Sequence, residues 1–125
     1  MGIVNLIGMH ESDAHVFIVM GRMDDDMLEY TMSAKKSRLS EHVVKYLSYQ
    51  IIVALKYLHA KNIVHCDLKP ENVLLKTNKK HPELLICKLC DFGYARIIGE
   101  NTFRSTMLGT PAYRICFFLF IYCTT

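Results

Sequence analysis

The apolar positions of this chain fall into short runs and one long periodic stripe. Ile3 to Ile7 predicts a short strand that Gly8 ends. His15-Val16-Phe17-Ile18-Val19-Met20 is nearly all apolar and predicts a second strand, covered on both faces and broken by Gly21. The two lie close enough in sequence to pair as a hairpin. Asp24-Asp25-Asp26 then precedes Met27-Leu28-Glu29-Tyr30. Acidic side chains suit the unpaired N–H groups and positive dipole end of a helix, so a short helix fading near Ser33 is expected. Lys35 to Arg38 reads as an exposed connector.

Ser40 is a good N-cap for the longest helix. Val44, Leu47, Ile51, Leu55 and Leu58 recur at spacings of three and four, which makes one core-facing stripe ending near His59 or Ala60. The stretch from Ile63 to Asn72 mixes apolar anchors with ionisable groups. Val73-Leu74-Leu75 predicts a strand, Thr77 to Pro82 a polar turn, and Leu84 to Leu89 a second strand antiparallel to the first. An irregular stretch follows from Asp91 to Tyr113.

A length of 125 residues is one small domain or part of a larger one. A content of 51% hydrophobic and 22% charged residues excludes a disordered or collagen-like chain. The net charge of +3 is too mild to imply nucleic acid as a partner. The longest apolar run, Ile115 to Cys123, is far shorter than the roughly twenty residues a bilayer needs, so no transmembrane segment is expected. The first residues carry no secretory pattern. Five irregularly spaced cysteines argue against a disulfide framework and for a reducing, cytoplasmic location. Cys87 and Cys90 form a CxxC, but residues three apart on a strand face opposite sides and do not share one zinc ion.

The candidate chemistry is concentrated between Asp67 and Asp91. Asp67, Asn72 and Asp91 offer a carboxylate, a carboxamide and a second carboxylate, hard oxygen ligands of the kind magnesium takes. Lys69 supplies a cation two residues from Asp67, as polyphosphate chemistry requires. One carboxylate is then available to accept a proton from a hydroxyl nucleophile.

These residues resemble two protein-kinase motifs in the right order. His65-Cys66-Asp67-Leu68-Lys69-Pro70-Glu71-Asn72 is similar to the catalytic loop H-R-D-L-x-x-x-N, and Asp91-Phe92-Gly93 matches D-F-G. Gly109-Thr110-Pro111-Ala112-Tyr113 resembles the segment before A-P-E. With Lys88-Leu89-Cys90 and Ala95-Arg96-Ile97-Ile98-Gly99-Glu100, the chain is similar to the protein kinase D family from about Gly2 to Tyr113.

The resemblance implies an α+β fold: a piece of the small-lobe sheet plus the first part of the mainly helical large lobe. It implies a partial catalytic domain over 1–113 and an unrelated apolar tail over 114–125. It implies a serine/threonine protein kinase that transfers the γ-phosphoryl of ATP to protein hydroxyls with Mg2+. Asp67 would accept the hydroxyl proton and Lys69 would steady the phosphoryl, while Asn72 and Asp91 would hold the metal. Met20 would be the gatekeeper and Gly21, Arg22 and Met23 the hinge whose backbone meets adenine. Asp26 would sit near the ribose, Met27 and Leu74 would floor the adenine, and Leu6, His65 and Phe92 would stack. Thr102 and Thr106 fall at activation-loop phosphorylation positions for an upstream kinase, and Thr110 would contact Asp67 and Lys69.

Cys66 stands where the superfamily has an arginine, as in protein kinase D, which leaves Arg96 as the expected phosphate partner. The sequence contains no glycine-rich phosphate loop and no V-A-I-K lysine. These 125 residues alone are therefore expected to be inactive, the alternative being a non-catalytic, kinase-derived interaction fragment.

Overall fold

The computed structural model describes residues 2–34, 38–81 and 84–97. A hairpin of β1 (Leu6–Glu11) and β2 (Val16–Met20) comes first, followed by the short β3 (Asp25–Asp26). Helix α1 (Met27–Ser33) and the long helix α2 (Glu41–His59) come next. Then follow β4 (Ile63–Val64), a single 3-10 turn (Pro70–Asn72), β5 (Val73–Thr77), β6 (Leu85–Leu89) and β7 (Arg96–Ile97).

The helix starts are set by their caps. Asp26 accepts the Glu29 N–H at 3.0 Å to open α1, and Ser40 accepts the Val43 N–H at 3.4 Å to open α2. At the other end of α2, Asn62 turns the chain away with a φ of 57°, a left-handed conformation that asparagine tolerates.

Strands β3, β5 and β6 form one antiparallel sheet in the order β3–β5–β6, with Val73 opposite Leu89 and Thr77 opposite Leu85. Its inner face packs on α2. Leu47, Ala54, Leu55 and Leu58 of the helix meet Val73, Leu75, Cys87 and Leu89 of the sheet in one core, with Leu47 and Leu89 fully buried. The helical stripe runs through Val43 and Ala54 rather than through Val44, which is 42% exposed. Both valines fall within one helical step of Leu47, so spacing alone does not choose between them.

The first residues extend this sheet instead of starting the hairpin. Ile3 bridges Leu89 in parallel, with Gly2 O accepting from Leu89 N and Val4 N donating to Leu89 O, each at 2.9 Å. The position needs glycine, because a Cβ at Gly2 would lie 2.6 Å from the Ala54 side chain.

Two expectations are corrected here. The strand expected over Ile3–Ile7 instead begins at Leu6 and runs through Gly8, where the register slips against β2. Cross-strand pairing outweighs a glycine that a bulge accommodates. The apolar β2, expected to be covered on both faces, is 48–60% exposed along its length. Each strand of a two-stranded sheet has one neighbour, and among the described residues no other element packs broadly on this pair. An apolar run identifies a strand without specifying what covers it.

Candidate active site

The chain between α2 and β6 gathers most of the candidate residues. Strand β4 is only two residues long, but it pairs with β7 so that Ile63 faces Ile97 and Val64 faces Arg96. This ladder brings the segment after Phe92 back against the segment before His65. His65 follows and is 1% exposed. Its Nε2–H donates to Cys90 O at 2.8 Å, while its Nδ1 accepts the Asp67 N–H at 3.3 Å. A carbonyl only accepts and an amide N–H only donates, so the two bonds fix the Nε2–H tautomer. One imidazole thus ties the loop carrying Asp67 to the residue before Asp91. The same ring lies 4.8 Å from the Phe92 ring, tilted by 50°. Leu6, the third residue expected in that stack, is 65% exposed on β1.

Asp67 and Asn72 are buried, at 3% and 5% exposure. Burial of a carboxylate is tolerable only with partners. Asp67 Oδ2 lies 2.9 Å from Lys69 Nζ and accepts from Asn72 Nδ2 at 3.1 Å. The same Asn72 nitrogen donates to Asp67 O at 2.9 Å. Pro70 opens the 3-10 turn that swings Asn72 back onto Asp67. The hydrogen bond to Asp67 raises the pKa of Lys69 above that of an ordinary lysine, and the charges of Asp67, Glu71 and Asp91 add to the effect.

Asn72 also meets the second motif. Its carbonyl accepts the Cys90 N–H at 3.0 Å, which places Asn72 beside the residue that precedes Asp91. Asp91 is exposed, and its Oδ1 accepts the Gly93 N–H at 3.2 Å. Cys66 and Asp91 both have left-handed backbone, with φ of 63° and 56°. Such conformations cost about 1–3 kcal/mol each in non-glycine residues and concentrate at functional sites. Burial raises the Cys66 thiol pKa, while the charge of Arg96 and its backbone N–H pull it down.

The donor set suits a hard divalent cation. The Asn72 amide nitrogen is committed to Asp67, so the amide oxygen is the atom left to act as a ligand. Asp91 adds a carboxylate. Asp25, Asp26 and Glu29 also bring carboxylate oxygens within 4.8 Å of one another, but Asp26 there caps α1.

The chain matches the family described as protein kinase domain over residues 1–115. The chain belongs to the protein kinase family. It is 57% identical over 112 residues to serine/threonine-protein kinase D3 of Homo sapiens, covering 90% of this chain and 12% of the relative. The same figures hold for serine/threonine-protein kinase D2 of Rattus norvegicus. Identity to serine/threonine-protein kinase dkf-1 of Caenorhabditis elegans is 51% over 113 residues, 90% of this chain and 15% of the relative. The chain thus spans about one-eighth of the length of the kinase D relatives. It carries part of a protein kinase domain, with the α+β architecture described above, and the relatives it resembles are named serine/threonine-protein kinases.

On the hinge side, Met20 ends β2, and Gly21, Arg22 and Met23 connect it to β3. Asp26 pairs directly with Leu74 across β3 and β5. Met27 packs against the core cluster. Thr102, Thr106, Thr110 and the 114–125 tail lie outside the described residues. Among the described residues no helix is long and apolar enough to cross a membrane.

Sequence reasoning missed three polar side chains that hold these parts together. Gln50 of α2 donates to Leu85 O at 2.9 Å and accepts the Cys87 N–H at 3.0 Å. Lys76 and Lys88 donate to Arg22 O and Asn5 Oδ1 at 2.9 and 2.8 Å. Nothing in their spacing marks them, because each bond joins residues more than thirty positions apart.

Proposed function

We propose that this chain supplies the catalytic loop, the metal-binding residues and the hinge of a kinase that transfers the γ-phosphoryl of ATP to serine or threonine hydroxyls of proteins. The observation that carries this reading is the buried Asp67 carboxylate, held at Oδ2 by Lys69 and Asn72. Asp67 orients the substrate hydroxyl and accepts its proton as the new P–O bond forms. Lys69 steadies the negative charge on the transferring group. Asn72, through its amide oxygen, and Asp91, through its carboxylate, hold magnesium. When bound, magnesium screens the phosphate oxygens and fixes their position. The backbone of Gly21, Arg22 and Met23 reads adenine behind the gatekeeper Met20, with Leu74 beneath the base and Asp26 near the ribose.

Thr102 and Thr106 are activation-loop phosphorylation sites for an upstream kinase, and Thr110 contacts Asp67 and Lys69. Arg96, whose strand pairs beside Cys66, receives the Thr106 phosphate. A cytoplasmic location fits the three described cysteines, which are all free thiols.

The test is phosphate transfer from labelled ATP to a serine peptide by the full-length kinase and its Asp67→Asn variant. The variant should lose at least about a hundredfold in kcat, the scale of positioned proton transfer. Retained activity would remove Asp67 from the chemistry. The 125 residues alone should transfer no measurable phosphate. A second reading, a non-catalytic binding fragment, is favoured by the exposed apolar residues of β1 and β2. It gains if the full-length protein is also inactive.

A further inference from the structure

Two lysines outside the catalytic loop join the metal-binding half of this site to the hinge. Leu74, the proposed floor of the adenine site, faces Lys88 across β5 and β6, and Lys76 faces Ile86. Residues two apart on a strand share a face, as do directly opposed residues, so these four side chains lie on one face of the sheet. That face is opposite the one on which Leu75, Cys87 and Leu89 meet α2.

Both lysines reach to the root of the β1–β2 hairpin. Asn5 precedes β1 and Arg22 follows β2, and the two arms are joined where Gly21 N donates to Asn5 O at 2.8 Å. Lys88 Nζ donates to Asn5 Oδ1 at 2.8 Å, and Lys76 Nζ donates to Arg22 O at 2.9 Å. Each arm of the root thus receives one ammonium from the sheet. The connection continues beyond Arg22. Asp24 N donates to Leu75 O, and Asp24 Oδ2 accepts from Thr77 N, each at 2.9 Å. Among the described residues, two of the hydrogen-bonded supports of the hinge are lysines flanking Leu74.

We infer that Lys76 and Lys88 are positioning residues that set the height of the hinge backbone above Leu74, and so the fit of the nucleotide base. The inference rests on the kinase reading of the hinge. A charged donor to a carbonyl or carboxamide is among the stronger neutral-partner hydrogen bonds, and the four-carbon stem lets each ammonium reach from the sheet face to the hairpin root. Neither lysine touches the reacting atoms. Their loss loosens the hinge and weakens nucleotide binding, while Asp67, Lys69 and Asn72 keep their mutual bonds.

The test compares the full-length kinase with Lys76→Met, Lys88→Met, the double variant and Lys76→Arg, measuring kcat and the KM for ATP. Each single methionine change should raise KM about threefold and the double change about tenfold, with kcat held within about twofold. Lys76→Arg keeps the donor and should restore most of the loss. Asn5→Ala, which removes the Lys88 acceptor without touching the sheet, should reproduce Lys88→Met and serves if the lysine variants fold poorly. Unchanged KM in the double variant overturns the inference while leaving the kinase reading intact. So does a fall in kcat and stability with KM unmoved, which is the mark of a merely structural role. If the unmodified protein binds no ATP, the kinase reading and this inference fall together.

Discussion

Gln50 gives the sharpest test of how this sheet is held. It sits in the middle of α2 and closes a stretch of the β6 edge that no described strand covers. Its carboxamide donates to Leu85 O at 2.9 Å and accepts from Cys87 N at 3.0 Å, as a neighbouring strand would. Gly2 and Val4 perform the same service two residues further on, at Leu89. Gln50→Met keeps the length and bulk of the side chain but removes both partners. Each hydrogen bond is worth about 1 kcal/mol net, and two part-buried backbone groups are left unsatisfied, so the loss should be about 2–3 kcal/mol.

Urea unfolding of the chain, followed by far-UV circular dichroism and tyrosine fluorescence, measures it. A loss below about 0.5 kcal/mol refutes the splint. Gln50→Glu separates the two bonds. An ionised carboxylate still accepts from Cys87 N but faces the Leu85 carbonyl with another acceptor, whereas the protonated acid donates to it. The folded-state pKa of the new carboxyl is therefore raised above its unfolded value of about 4.3. Its stabilising contribution is complete below that pH and is lost as pH rises through the folded pKa. The variant should thus trail the parent by less at pH 4 than at pH 7, and the reverse trend would sink the donor assignment.

Gly2→Ala sets a Cβ 2.6 Å from the Ala54 side chain, so α2 and the first residues must separate. The expected cost is about 1–3 kcal/mol, with faster exchange of the Leu89 amide, and an unchanged Leu89 exchange rate refutes it. Burial pushes the Cys87 thiol up to about 12, so Cys87 should resist iodoacetamide at pH 8 in the folded chain and react only on unfolding. Peptide mass mapping reads this directly, and native-state labelling of Cys87 would contradict its 4% exposure. The amides of β1 and β2 should exchange well before those of β5 and β6, because the hairpin lacks a packed face among the described residues. Equal protection would show that something covers it.

What was legible in the sequence was what is local. The eight residues from His65 to Asn72 were readable as one unit because the loop folds on itself, with Asn72 bonded to Asp67 only five positions away. Ser40 and Asp26 declare the helix starts for the same reason, since a cap acts within three residues. Leu47, Ile51, Leu55 and Leu58 were readable as a stripe because a helix converts spacing into a face. The rest depends on partners distant in sequence. The β4–β7 ladder is two residues long and joins positions some thirty apart, too short to leave a periodic signature. The roles of Gln50, Lys76 and Lys88 exist only once the sheet is assembled. The exposure of β2 was misread because composition reports what a strand could bury, not what is there to bury it.

The same division between local and distant contacts explains how the site is prepared for its chemistry. The supports named around Asp67 are short-range or buried. His65 ties the loop to Cys90, Asn72 folds back on Asp67, and Lys69 neutralises it from two residues away. The loop lies beside the core that β5 and β6 form with α2, so on the proposed function Asp67 and the Asn72 amide would be in place before any nucleotide arrives. The proposed hinge is less enclosed among the described residues, with Gly21 and Met23 half-buried and Arg22 exposed. It runs between an exposed hairpin and the outer face of the sheet, with solvent-accessible hydrogen bonds donated by Lys76 and Lys88 and one that Asp24 accepts from Thr77. Exposed bonds contribute less and open more easily than buried ones. On the proposed function, nucleotide affinity is therefore the property expected to be most sensitive to change at the hinge, while the geometry around Asp67 is the more protected by the core.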